Sequence, residues 1–227
     1  MISFPCPACG AEVPFRGSHS VYAVCAYCGS MIVRRDAKIE RIGKMAGLAP
    51  DMSPFQIGSI CSWDERDFTL VGRLKVGWAD GQWSEWYALA DDGSDAWLAE
   101  AQGTYAFSRD EPLPRDDYAG EVLRALDAYV RAGAGKGQRN PLGESFRYAG
   151  GVLKIVDLRP VTCLGSEGEL PFAAPEGRKA WSVDLLGPRG EFGCIELGSG
   201  PTRFFAGRYL DWDALQARNL RVLEGWS

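Results

Sequence analysis

Histidine is almost missing from this chain: His19 is the only one in 227 residues. A Ser-His-Asp or Cys-His arrangement needs its base beside the nucleophile, so residues beyond the N-terminal segment hold no histidine-dependent triad. Long apolar runs are also missing. None approaches the ~18 residues of a membrane-spanning helix, and the start Met1-Ile2-Ser3-Phe4-Pro5 has no charged segment followed by an apolar one. The expectation is a soluble, cytoplasmic protein. A basic excess is missing too: 25 Lys and Arg stand against 30 Asp and Glu, a net charge of −5. Phosphate-driven nucleic-acid binding needs the opposite sign. One stretch departs from that average. Arg34, Arg35, Lys38, Arg41 and Lys44 face only Asp36 and Glu40, and a solvated connector explains it as well as a binding patch does.

The abundant residues point to strands joined by turns. There are 28 Gly, 13 Pro and eight Trp, with 46% apolar and 24% charged residues, an ordinary globular balance.

The strongest local signal is Cys6-Pro7-Ala8-Cys9-Gly10, fifteen residues from Gly10 to Val24, then Cys25-Ala26-Tyr27-Cys28-Gly29. Two CxxC pairs at this separation offer four thiolates to one tetrahedral zinc ion and leave no open coordination position. Each following Gly can adopt the left-handed conformation that closes the turn around the metal. Short strands at 11–15, 21–24 and 31–34 complete a zinc-ribbon layout over residues 1–40. A segment this short cannot bury enough apolar surface, so a structural Zn²⁺ would supply its folding free energy.

Residues 41–55 read as a linker. A first series of strands follows over 56–110, at 57–63, 68–76, 83–89, 96–100 and 104–108. A second occupies 141–227, at 146–148, 152–164, 180–186, 193–197 and 202–207. The two echo each other, Trp86-Tyr87-Ala88-Leu89 with Trp181 to Leu185, and this predicts a mainly β chain with a duplicated β-barrel or β-meander unit. Between them, 111–140 holds a helix capped by Asp116-Asp117, with Val122, Leu123, Leu126, Tyr129 and Val130 on one face. Gly133 ends it, and the loop Gly133-Ala134-Gly135-Lys136-Gly137 is a linker: Val130 and Gly137 occupy the positions where a phosphate loop needs Gly and Ser/Thr.

Cys61, Cys163 and Cys194 have apolar neighbours and read as small core residues. The run Trp83-Ser84-Glu85-Trp86-Tyr87 alternates, with Trp83, Glu85 and Tyr87 on one face and Ser84 and Trp86 on the other. These aromatics either fill the interior or anchor a partner.

Val71-Gly72-Arg73-Leu74, Trp83 to Leu89, Asp92-Gly93 and Trp97-Leu98-Ala99-Glu100, followed by Gly168-Glu169-Leu170-Pro171-Phe172 and Val183-Asp184-Leu185, resemble a bacterial family catalogued as domain of unknown function 4178. Members commonly carry an N-terminal zinc ribbon. The resemblance implies an accessory protein of a bacterial operon and supplies no catalytic residues. The resulting expectation is a non-catalytic adaptor that binds a protein or peptide through Trp83, Glu85, Tyr87 and Glu169. The alternatives are a small-ligand binder or enzyme, with Glu85, Trp86, Glu100 and Glu169 holding a polyamine-like cation, and nucleic-acid binding through the ribbon and the 34–44 stretch.

Overall fold

The structure is a computed structural model that describes residues 1–36, 38–114, 117–133, 137–198 and 200–223. It is mainly β and antiparallel. In chain order the elements are β1 (Ile2–Pro5), β2 (Glu12–Phe15), β3 (Tyr22–Val24), β4 (Ser30–Arg35), β5 (Lys38–Lys44), β6 (Ile60–Trp63), β7 (Arg66–Trp78), β8 (Gly81–Ala90), β9 (Asp95–Ala101) and β10 (Thr104–Glu111). Helix α1 (Asp117–Arg131) follows, then β11 (Ser145–Tyr148), β12 (Gly151–Leu170), β13 (Lys179–Leu186), β14 (Glu191–Gly198), β15 (Arg203–Leu210) and a 3-10 turn at Trp212–Leu215. Among the described residues no helix is long and apolar enough to cross a membrane.

Two compact units share the chain, and they interleave rather than follow one another. The first takes Met1–Tyr105, Thr162–Arg178 and Leu210–Ser227; the second takes Ala106–Val161 and Lys179–Tyr209. The 20-residue strand β12 passes from one to the other. The sequence suggests a strand ending near residue 164, because Gly165 and Gly168 look like punctuation.

In the first unit those glycines continue the strand. The C-terminal half of β12 lies between β3 (Leu170 opposite Tyr22) and β7 (Gly168 opposite Gly72). A Cβ on Gly72 would overlap the carbonyl oxygen of Glu169, and Gly168, at φ +68°, sits against the carbonyl of Val71. Gly72→Ala therefore has no room without separating the strands. The expected cost is about 3 kcal/mol, read from urea unfolding. The other edge of β7 pairs with β8 from Phe68 to Trp78, while β6 takes up the N-terminal part of the edge that β12 leaves open.

This pairing changes the reading of residues 1–40. β3 bonds to β4 on one side and to β12 on the other, so the ribbon is built into the first unit. Residues 41–55 also differ from a linker. Lys38–Lys44 forms β5 on β4, and Met45, Ser53 and Phe55 are buried. Phe55 meets Trp86 and Tyr105 edge to face. The segment shows no periodicity because its residues are anchored one at a time.

The second unit wraps a sheet around one face of α1. Ala119, Val122 and Leu126 pack with Phe146, Leu153, Ile155, Val183, Leu185, Ile195, Leu197 and Phe204. The helix expected to bridge two β units thus belongs to the core of one of them. Its proposed cap Asp116 and loop residues Ala134 to Lys136 lie outside the described residues.

Candidate metal centre

Two turns build the N-terminal site, and their backbones match. Cys6 N–H donates to the Ala11 carbonyl (2.7 Å) and Gly10 N–H to that of Cys6 (2.9 Å). Likewise Cys25 N–H donates to Ser30 (2.9 Å) and Gly29 N–H to Cys25 (2.9 Å). Gly10 and Gly29 have φ of +76° and +69°, a conformation L side chains rarely take. Beneath the turns Val13, Phe15, Ala23 and Ile32 form a small core, with Phe4 edge-on to Phe15.

The turns bring Cys6, Cys9, Cys25 and Cys28 together, with all four sulfurs within 4.8 Å of one another. Cys6 and Cys28 are 3.7 Å apart, as are Cys9 and Cys25. A metal held by four thiolates at ~2.3 Å requires sulfurs ~3.8 Å apart along each tetrahedral edge. The spacing fits a metal, and S₄ sets of this shape suit zinc or iron. Ser30 Oγ lies 3.2 Å from Cys28 Sγ. That contact, with a backbone hydrogen bond at Ser30, draws the Cys28 thiol down to about 6. Cys9 moves the other way. A backbone hydrogen bond at Ala11 lowers it, but the neighbouring sulfurs push it up to about 12. A metal ion therefore displaces protons on binding. His19 stands apart, with a 70% exposed side chain 3.8 Å from Asp95.

The match to known families begins after this site. A family model described as domain of unknown function, DUF4178, covers residues 56–211, more than half of the chain. The chain belongs to the DUF4178 family. No curated protein and no solved structure matches it. The four cysteines lie outside the DUF4178 match, yet β3 pairs directly with β12 inside it.

The residues expected to bind a partner or ligand separate into two groups. Glu169, 1% exposed, turns into the molecule and accepts from Arg16 N–H (2.6 Å), Gly17 N–H (3.2 Å) and the Arg16 guanidinium (3.2 Å). It fastens the ribbon loop to β12. Trp86 and Tyr87 are fully buried. Trp86 donates through Nε1 to Glu100 (3.0 Å), which also accepts from Ser53 (2.7 Å). Tyr87 donates to Asp95 (3.0 Å). Alternation cannot separate a core face from a surface face here, because both faces of β8 are covered.

Trp83 and Glu85 are half-buried, and Trp83 Nε1 donates to Glu85 (2.9 Å). Their neighbours escaped sequence reasoning. Trp78 packs on Trp83 with ring centroids 5.3 Å apart, and Leu164, beside Gly77, is 42% exposed. The signal was present: the turn Ala79-Asp80-Gly81 makes residues 76–78 and 81–83 hairpin partners.

The 34–44 stretch divides as well. Arg34 donates to the Ser18 carbonyl (2.9 Å) and lies over the Phe15 ring, 5.2 Å from its centroid, while Lys38, Arg41 and Lys44 are exposed on β5. Of the remaining cysteines, Cys61 and Cys163 are buried, and burial pushes the Cys61 thiol up to about 12. Cys194 is half-buried, 3.4 Å from Ser182 Oγ.

Proposed function

We propose that this chain is a non-catalytic adaptor, held together at its N-terminus by one structural Zn²⁺, that takes a protein or peptide partner on the β7–β8 hairpin. Supporting this is the Trp78–Trp83 pair, which lies half-buried at the end of the hairpin beside exposed Leu164. Large flat aromatics with partial exposure bury much area on docking at little entropic cost. Glu85, bonded to Trp83, supplies a polar rim. The carboxylates suggested for a polyamine-like cation favour that reading less: Glu169 and Glu100 are already engaged by Arg16, Gly17, Ser53 and Trp86. The sequence echo belongs to the same proposal, with the consecutive hairpins β7–β9 and β13–β15 as its two copies.

The test is an affinity capture from the native cell extract with three proteins: wild type, Trp78→Ala with Trp83→Ala, and Cys25→Ser with Cys28→Ser. The hairpin variant is expected to lose the partner while keeping its far-UV spectrum, since neither ring belongs to the buried core. Retention of the partner by that variant would remove the hairpin surface. Absence of any partner with wild type would remove the adaptor reading.

A further inference from the structure

The two cysteine turns share a backbone but differ in what stands behind the sulfur. Two residues beyond Cys9 is Ala11; two beyond Cys28 is Ser30. Ser30 is 2% exposed, with Oγ 3.2 Å from Cys28 Sγ. On the far side of the same oxygen, Arg41 Nε donates at 3.2 Å. A guanidinium can only donate, so it occupies one lone pair of Oγ; a Cys28 thiol donates to the same oxygen, whereas a Cys28 thiolate has no proton to give and accepts the hydroxyl proton instead. With Cys28 as the thiolate that a metal requires, the chain of donors runs one way, from Arg41 through Ser30 to Cys28.

A β-bulge aims this arrangement. The β4–β5 register pairs Met31 with Gly43 and Ile32 with Arg41, leaving Ile42 as the extra residue. Ile32 points into the ribbon core, so its partner Arg41 shares the face of Ser30 and Ile32. Without the extra residue, Ile42 would stand opposite Ile32 and Arg41 would turn to the other face.

We infer that Ser30 and Arg41 are a positioning pair for the metal, fixing and polarising Cys28 so that the second turn grips the ion more tightly than the first. This rests on the metal centre proposed above. Four thiolates around a divalent ion carry a net charge of −2, and a guanidinium relayed through one buried hydroxyl offsets part of it at the half-buried Cys28. The first turn has no counterpart: Ala11 offers no hydroxyl, and Cys9 is exposed.

The experiment is chelator competition for Zn²⁺ at neutral pH, with the charge-transfer spectrum of the Co²⁺-loaded full chain recorded in parallel. Ser30→Ala and Arg41→Gln are each expected to weaken Zn²⁺ binding by about tenfold and to shift the sulfur-to-cobalt band. Because the two act in series, the double variant should be no weaker than Ser30→Ala alone. Arg35→Gln makes the same charge change on the same hairpin and should leave both readouts at wild type. Arg41 is exposed, so its variant keeps the fold; the far-UV spectrum of the loaded protein checks this. Additive losses, or an equal loss in Arg35→Gln, would reduce the effect to bulk charge and overturn the relay. A wild type that binds both ions, with variants that match it, would overturn only the role of Ser30 and Arg41. A wild type that binds neither ion would overturn the metal centre itself.

Discussion

Stripping the proposed zinc with a strong chelator, or replacing Cys25 and Cys28 by Ser, is expected to unfold the N-terminal strands β1 to β5 and to expose β12 over 163–170 as well. The ribbon core consists of Val13, Phe15, Ala23 and Ile32 plus the cysteines themselves, too little to fold against chain entropy without help. Structural zinc supplies about 10–16 kcal/mol of apparent binding free energy in such segments. The loss spreads because the two regions share a sheet: Tyr22, Ala23 and Val24 pair with Leu170, Glu169 and Gly168. Once the loop at Arg16 and Gly17 is gone, the Glu169 carboxylate, 1% exposed, has lost the donors that hold it, and a buried anion without partners costs several kcal/mol. Amide hydrogen exchange read by mass spectrometry checks this, with metal content measured in the same samples. Loss of protection confined to β1 to β5, with 163–170 still protected, would make the ribbon an independent module. One iron per chain in place of zinc would change the ion and leave the coupling intact.

Much of this architecture is legible in the sequence because its signals are local. The CxxC-Gly turns name the four cysteines that come together, period-two patterning with turn residues marks most strands, and helical spacing marks α1. Less legible is whatever depends on a partner far along the chain. Gly165 and Gly168 signal a break in any local reading, yet they permit close approach of strands almost a hundred residues apart in sequence. Tyr87 and Trp86 alternate as if one must face water, yet both are fully buried, Trp86 against Phe55 and Tyr87 against Trp97. Glu169 looks like a free acid until its partners, 152 and 153 residues away, are known. Asp51 lies in what reads as a linker and proves to be the anion of a buried cluster.

Replacing Asp51 by Asn is expected to cost about 3–5 kcal/mol. Arg73 and Lys75 lie mid-strand on β7, opposite Trp86 and Ser84, with side chains only 5% and 11% exposed. Asp51 bonds to both and also accepts from Arg221 (3.1 Å). Ser84 Oγ accepts from Arg73 (2.8 Å), whose guanidinium lies over the Trp86 ring, 4.6 Å from its centroid. A second carboxylate, Glu167, is 3.7 Å from Arg73 and 41% exposed. With Asp51 neutralised, Arg73 keeps that half-solvated partner while buried Lys75 loses the carboxylate it bonds. The sign of the pH dependence follows. Burial alone would raise the Asp51 pKa, but the hydrogen bond from Lys75 and the charges of Arg73 and Lys75 outweigh it and hold the carboxyl well below its ordinary range. A depressed folded-state pKa contributes stability that is fully present above the unfolded value of ~3.9 and lost as pH falls through the folded one. Wild type should therefore lose stability below about pH 4, whereas Asp51→Asn should show a flatter profile there, the two curves converging in acid. Urea unfolding across pH reads both effects. Replacing the cluster together, Asp51→Leu with Arg73→Met and Lys75→Met, should recover much of the loss, because apolar packing of similar volume removes the desolvation cost along with the charges. A cost below about 1 kcal/mol for Asp51→Asn would mean that water reaches the two cations and screens them as at an exposed pair.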